Sequence, residues 1–261
     1  MVFDELGDGV FRRRYASLDL NVGLVLGEDG VLVVDTRATH AQADVLIEEL
    51  GSFTSLPVRW VVNTHWHWDH AFGNSRFKRA EIWGHELCGE ALRVRGDEMK
   101  QGAKAWLPET HYGAIDDVEI VPPSHTFSSR ASLAIGRAVE LSYHGLAHTD
   151  ADIVVAVPDS GVAFMGDMIE ESAPPNFGDS YPTTWPFTLR LAMDAVEGVI
   201  VPGHGDVVDR SFVQGQHEEL VAVAEVVTRV LDGEFGVDEA VSDGPYPAEV
   251  MRSAIERALT L

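Results

Sequence analysis

Asn63-Thr64-His65-Trp66-His67-Trp68-Asp69-His70 places four potential metal ligands inside six residues. Ahead of it, Val58-Arg59-Trp60-Val61-Val62 has the apolar, β-branched character of a buried strand. Behind it, Ala71-Phe72-Gly73-Asn74 reads as the first turn of a short helix. With residues 65 to 69 extended, the two-residue side-chain period puts His65, His67 and Asp69 on one side, and His70 follows at the turn. Three imidazoles and a carboxylate exceed what one tetrahedral ion takes from one segment, so the spacing points to a pair of ions with further ligands from elsewhere. Two cations sharing a water would lower its pKa toward neutrality and make it a nucleophile, which is the chemistry of hydrolysis.

The further ligands must come from other strand ends. His148, Asp167 and His204 each stand at the end of an apolar strand or in the loop just after it, and such strand ends can meet only if they share one edge of the fold. His144, four residues before His148, is the alternative third histidine. Asp35, closing the strand Val31 to Asp35, is either a helix N-cap or a partner that holds a ligand in place.

Around these residues the pattern gives strands at Gly9 to Tyr15, Asn21 to Leu26 and Val31 to Asp35, with Glu28-Asp29-Gly30 as a hairpin turn. A helix follows on Ala43, Leu46, Ile47 and Leu50, with Gly51 as its stop. After the central motif comes a strand from Ala80 to Trp83. Residues 86–106 are helical with interruptions at Gly89, Gly96 and Gly102, and run on through Tyr112 as either a flap or a peripheral helix pair. A second series of strands covers residues 118–121, 132–135, 138–143, 152–157 and 162–165. The loop Glu170 to Phe187, rich in proline and aromatic residues, offers Phe177, Tyr181 and Trp185 either as a stiff wall for a small, partly apolar acyl group or as anchors for a long connection. A helix beginning near Leu189, a strand from Val199 to Pro202 and C-terminal helices from about residue 213 complete the chain. Strands followed by helices occur twice with no linker between, so residues 1–261 read as one domain.

Composition narrows the function. Forty-two acidic against 19 basic residues give a formal charge of −23, a surface that repels nucleic acid and anionic membrane. The expected partner is a small-molecule substrate, with no nucleic acid and no membrane; the residues set no oligomeric state. The single Cys88 forms no internal disulfide, and Met1-Val2-Phe3-Asp4-Glu5 lacks the basic and apolar regions of a secretory leader. Both point to the cytoplasm.

His65-x-His67-x-Asp69-His70, His148 in a His-Thr-Asp context, Gly166-Asp167 and Pro202-Gly203-His204-Gly205 together resemble the metallo-β-lactamase superfamily in order and spacing, over about residues 9 to 210. The resemblance implies an α/β layered fold, a four-layer αββα sandwich of two pseudo-equivalent halves with two metals where the halves meet. It implies that His65, His67 and His148 hold the first ion, that Asp69, His70 and His204 hold the second, and that Asp167 bridges them. The cofactors expected are two divalent ions, zinc first, with iron or manganese as alternatives. Asp69 has the catalytic role of directing the nucleophile. The reaction expected is hydrolysis of an ester, thioester or related acyl bond of a small molecule. The alternatives are β-lactam hydrolysis and an iron-dependent redox activity such as that of the superfamily's persulfide dioxygenases. Zinc β-lactamases of the family usually carry cysteine or serine where this chain has Asp167, and its lactonases a tyrosine where this chain has Glu170. The remaining histidines, His40, His85, His111, His125, His144 and His217, are expected on the surface or in packing, with His85 or His111 as candidates to line a pocket.

Overall fold

The N-terminal apolar alternation builds an antiparallel meander of β1 (Asp4–Gly7), β2 (Val10–Tyr15), β3 (Leu20–Leu26) and β4 (Val31–Val34). The computed structural model describes residues 3–261. Met1 and Val2, the head of the acidic start read above, lie outside the described residues. Helix α1 (His40–Phe53) starts where the Thr39 side chain accepts a hydrogen bond from the Gln42 N–H, and it buries Ala43, Leu46 and Leu50. It runs past Gly51, the expected stop, to Thr54, whose N–H returns to the Leu50 carbonyl. Strand β5 (Val58–Val62) then joins β4 in parallel.

The central motif follows, with α2 (Trp68–Ala71), β6 (Glu81–His85), α3 (Glu86–Ala103), α4 (Tyr112–Asp116) and the edge strand β7 (His125–Phe127). Helix α3 is unbroken by its glycines. At Gly96 the missing side chain admits Ile120, which would stand 3.0 Å from an added Cβ. Residues 118–121 are not the expected strand; β6 is paired instead by β7, beyond Pro122-Pro123, which have no N–H to give a ladder.

The second half comprises β8 (Arg130–Ala134), β9 (Ala138–Tyr143), β10 (Ile153–Val157) and β11 (Val162–Glu170), each antiparallel to the next. Helix α5 (Trp185–Met193) leads to β12 (Val199–His204), parallel to β11, and α6 (Arg210–Leu231), α7 (Val237–Ala240) and α8 (Ala248–Ala258) close the chain.

The strand order is β7-β6-β5-β4-β3-β12-β11-β10-β9-β8, with β2 also on β3. Only one residue pair, Leu20 with His204, joins β3 to β12. At that joint the two halves fold face to face. Val25, Leu32 and Val62 from one half share an inner core with Leu141, Val155 and Phe164 from the other. Outside, α1 packs on the first half through Leu46 and Leu50 beside Val33 and Val61. Helices α5, α6 and α8 cover the second through Leu189, Leu220 and Ile255. The result is the expected helix–sheet–sheet–helix layering. Because β4 pairs parallel with β5, β11 parallel with β12, and β3 antiparallel with both β4 and β12, strands β4, β5, β11 and β12 all point the same way. Their C-terminal ends share one edge.

Candidate metal centre

That edge collects the seven ligand-type residues. His65, His67, His148 and Asp167 form one group and Asp69, His70 and His204 another, the ligand atoms of each lying within 4.8 Å of one another. The local geometry differs from the extended reading: the chain turns helical at Trp68, with His67 at the N-cap, so Asp69 and His70 ride the first turn of α2. Asp167 sits inside β11 rather than beyond it, since that strand continues to Glu170. His144 is not part of either group; its Nε2 lies 2.9 Å from Ser142 Oγ.

Asp167 stands between the groups. Its Oδ2 is 3.6 Å from His65 Nε2 and 3.9 Å from His148 Nε2, and its Oδ1 is 3.1 Å from His70 Nε2. His204 Nε2 lies 3.4 Å from both Asp167 Oδ2 and Asp69 Oδ2, and His70 Nε2 lies 3.7 Å from Asp69 Oδ2. Two donors each ~2.1 Å from a shared tetrahedral zinc would stand roughly 3.4 Å apart, so these separations fit shared ions better than direct hydrogen bonds. Buried polar atoms are nearly always paired in folded proteins, yet His65 Nε2 and Asp167 Oδ1 are buried with no hydrogen-bond partner. Five imidazoles and two carboxylates form a nitrogen–oxygen donor set that suits zinc, iron or manganese. The residues fit a metal pair.

The distal ring nitrogens are held. His70 Nδ1 is 2.8 Å from Asp35 Oδ2, and Asp35 also accepts from the Thr64 N–H and Oγ1, both at 2.8 Å. His204 Nδ1 lies 2.7 Å from the Leu18 carbonyl, whereas His148 Nδ1, 3.4 Å from Asp152, makes no hydrogen bond. His67 turns Nε2 to Asp179 at 3.3 Å, leaving Nδ1 for an ion. Such partners fix the ring and its tautomer. Asp35 is therefore a holder of a ligand, not a helix cap, and it does so from a left-handed backbone with φ of 67°. Asp152, Asp179 and the Leu18 carbonyl went unread in the sequence. Asp152 had a faint signal, four residues after His148, but nothing near Asp179 marks it.

The charges agree with this arrangement. Burial, then the neighbouring His70, hold the His65 imidazole well below its ordinary value, so it is neutral as a ligand must be. Burial alone would also lower His70 and His204, but the carboxylates of Asp167 and Asp69 raise both well above the usual range. Positive charge is demanded there. For Glu170, burial and then Asp167 push the carboxyl up to about 8.

Above the two groups opens a cleft of about 960 Å³. Helix α3 and the loop from Glu170 to Asp179 both wall it, as does the start of α8. Trp66 and Trp68 both line it, Trp66 being otherwise buried with its Nε1 donating to Asp150. Of the expected aromatic wall only Phe177 takes part. Trp185 is fully buried, its Nε1 on the Met168 carbonyl, because it opens α5 against the core; Tyr181 is off the lining too. Neither His85 nor His111 reaches the cleft; His85 stacks on Tyr143 at 3.9 Å.

Comparison with known proteins places these features in context. The family described as metallo-beta-lactamase superfamily matches residues 18–204. A metallo-beta-lactamase type 2 of Bacteroides fragilis is 21% identical, over 70% of this chain and 68% of that protein. A linear primary-alkylsulfatase of a Pseudomonas species is 24% identical, over 70% of this chain and 40% of that protein. The solved structure of TMB-1 superposes with a TM-score of 0.66 at 20% identity, covering 84% of this chain and 95% of that one.

Proposed function

Because the chain belongs to the metallo-beta-lactamase superfamily, we propose that it is a hydrolase, holding two divalent ions, zinc in the first instance, that cleaves an ester, thioester or related acyl bond of a small molecule. The observation that carries the reading is the pair of orphaned buried atoms, His65 Nε2 and Asp167 Oδ1, between two ligand groups at the floor of the cleft. His65, His67 and His148 would hold one ion, Asp69, His70 and His204 the other, with Asp167 between them. When bound, such a pair supplies an acidified water and an electrophile for the acyl oxygen.

The chain's own residues do the rest. Asp69, with 7% exposure, keeps its carboxylate at the cleft floor, where it accepts a hydrogen bond from the attacking water and sets its line of approach. Asp35, Asp179 and the Leu18 carbonyl hold the imidazoles of His70, His67 and His204 in their orientations. The walls of α3 and the Glu170–Asp179 loop shield the reacting group from bulk water, which strengthens each electrostatic contact inside.

A second reading, β-lactam hydrolysis, draws support from the relatives of that name. The carboxylate at Asp167 argues against it, because a bridging anion makes each cation a poorer acceptor for a departing lactam nitrogen. Elemental analysis of protein purified without added metal, followed by kcat/KM for small esters, thioesters, lactones and a chromogenic cephalosporin, tests both. Efficient cephalosporin turnover with no ester or thioester turnover would overturn the acyl-ester reading.

A further inference from the structure

The charges along the cleft walls carry information that the ligand groups do not. Among the described residues that line it, the only lysine or arginine is Arg95. Its guanidinium is already committed: one nitrogen lies 3.3 Å from Asp179, another 3.5 Å from Glu98, and the group stands 4.8 Å above the Trp66 ring. Against that single compensated cation stand Asp19, Glu98, Glu171, Asp179 and Glu249. Asp19 is neutralised by Arg14 at 2.6 Å, but Glu171 and Glu249 have no ion-pair partner among the described residues. Between these carboxylates the wall is apolar, from Trp68, Met99, Trp106, Pro175 and Val250.

We propose that this cleft takes acyl substrates whose non-reacting portion is apolar and carries no negative charge. The inference rests on the hydrolase reading above and names its substrate class. With the scissile acyl group over the ligand residues at the floor, where bound ions would attract it, the tail of the substrate lies along the walls. A sulfonate, phosphate or carboxylate on that tail meets carboxylates of like charge and no free donor cation along the walls. An uncharged hydrocarbon tail meets tryptophan, methionine and proline. An ammonium tail meets attraction.

The test uses three 4-nitrophenyl esters of equal chain length on the metal-loaded protein. One ends in methyl, one in trimethylammonium and one in sulfonate, a weak metal ligand that reports on the walls rather than on the ions. The expected result is a kcat/KM at least tenfold lower for the sulfonate ester than for the methyl ester, with the trimethylammonium ester equal to the methyl ester or better. Raising ionic strength narrows that gap, since exposed charges are screened. In the double variant Glu98→Gln, Glu249→Gln, both positions being exposed on helices, the ratio of methyl to sulfonate turnover falls about threefold or more. Non-hydrolysable ether analogues of the three, titrated calorimetrically, bind in the same order. A sulfonate analogue bound as tightly as the methyl analogue overturns the charge proposal, as does an unchanged ratio in the double variant. Failure of all three esters to turn over while the ethers keep the predicted order sinks the hydrolase reading and leaves the charge selection standing.

Discussion

Asp69 and Glu170 are carboxyls in one cleft whose surroundings drive them apart. Burial works to raise Asp69, but His70 and His204 outweigh it and hold the group below its usual range. For Glu170 burial and the Asp167 charge act together and carry it up to about 8. Asp69→Asn keeps size and burial while removing the charge that would direct the water. It should remain folded, by circular dichroism and melting temperature, and lose turnover by a factor on the order of 10² or more; an intact rate would refute the role. Glu170 makes a prediction about pH. Its folded value lies above the unfolded 4.5, so the native state holds the proton more tightly, and stability falls as pH rises from 4.5 through about 8. In metal-free protein, Glu170→Gln should match the parent in melting temperature near pH 5 and gain on it progressively toward pH 9. A constant difference across that range would remove the claim. The ligand histidines and aspartates were legible because their spacing is dense and their types are rarely gathered otherwise. Asp179 and Arg95 were not, since a lone carboxylate in a loop becomes the partner of His67, and of an arginine on a helix, only when the fold brings residues 67, 95 and 179 together.

At the scale of elements, most strands and all the long helices could be read from apolar periodicity, because each presents one face to a core. The misreadings fall where tertiary contact decides. Gly51 sits inside α1, Gly96 inside α3 where Ile120 needs the room, and the edge strand β7 has a single paired side and too short a run for a pattern. Trp68 and Asp69, expected as strand extension, instead open α2, and that turn brings Asp69 and His70 back toward His204 at the end of β12. The crossing of β11 and β12 gives a test. A Cβ at Gly203 would collide with Asp167 Oδ1, so the absence of a side chain there is what lets the Asp167 carboxyl pack against the neighbouring strand. Gly203→Ala should leave the secondary structure intact but push Asp167 out of place. Metal bound per chain should drop by about half or more, read by elemental analysis after dialysis. Undiminished occupancy would show that Asp167 has more freedom than this packing allows.

Across the whole molecule the two halves touch through an inner apolar core and through the ligands. The first half contributes His65, His67, Asp69 and His70, and the second His148, Asp167 and His204. The layering was legible from two rounds of strands and helices; the joint between halves was not, because it rests on one backbone pair, Leu20 with His204, which no periodicity announces. His204 thus serves twice, as the seam of the two sheets and as a ligand-type residue at the cleft. An ion bound by residues from both halves exists only in the folded chain, so it adds RT ln(1 + [L]/Kd) to stability, about 2.7 kcal/mol when free metal is a hundredfold above Kd. In a chain of this size that corresponds to roughly 5–10 °C in melting temperature. Chelation followed by dialysis should lower the melting point by that order, and zinc returned in excess should restore it. His148→Ala combined with His204→Ala should abolish the metal-dependent increment, since each group loses one imidazole. The Asp167 carboxylate then faces fewer positive partners, yet the apolar core between the sheets remains. The double variant should therefore melt near the chelated parent and ignore added zinc. A parent protein that binds two equivalents of metal by elemental analysis but melts at the same temperature with and without them would show that the ions do not join the halves.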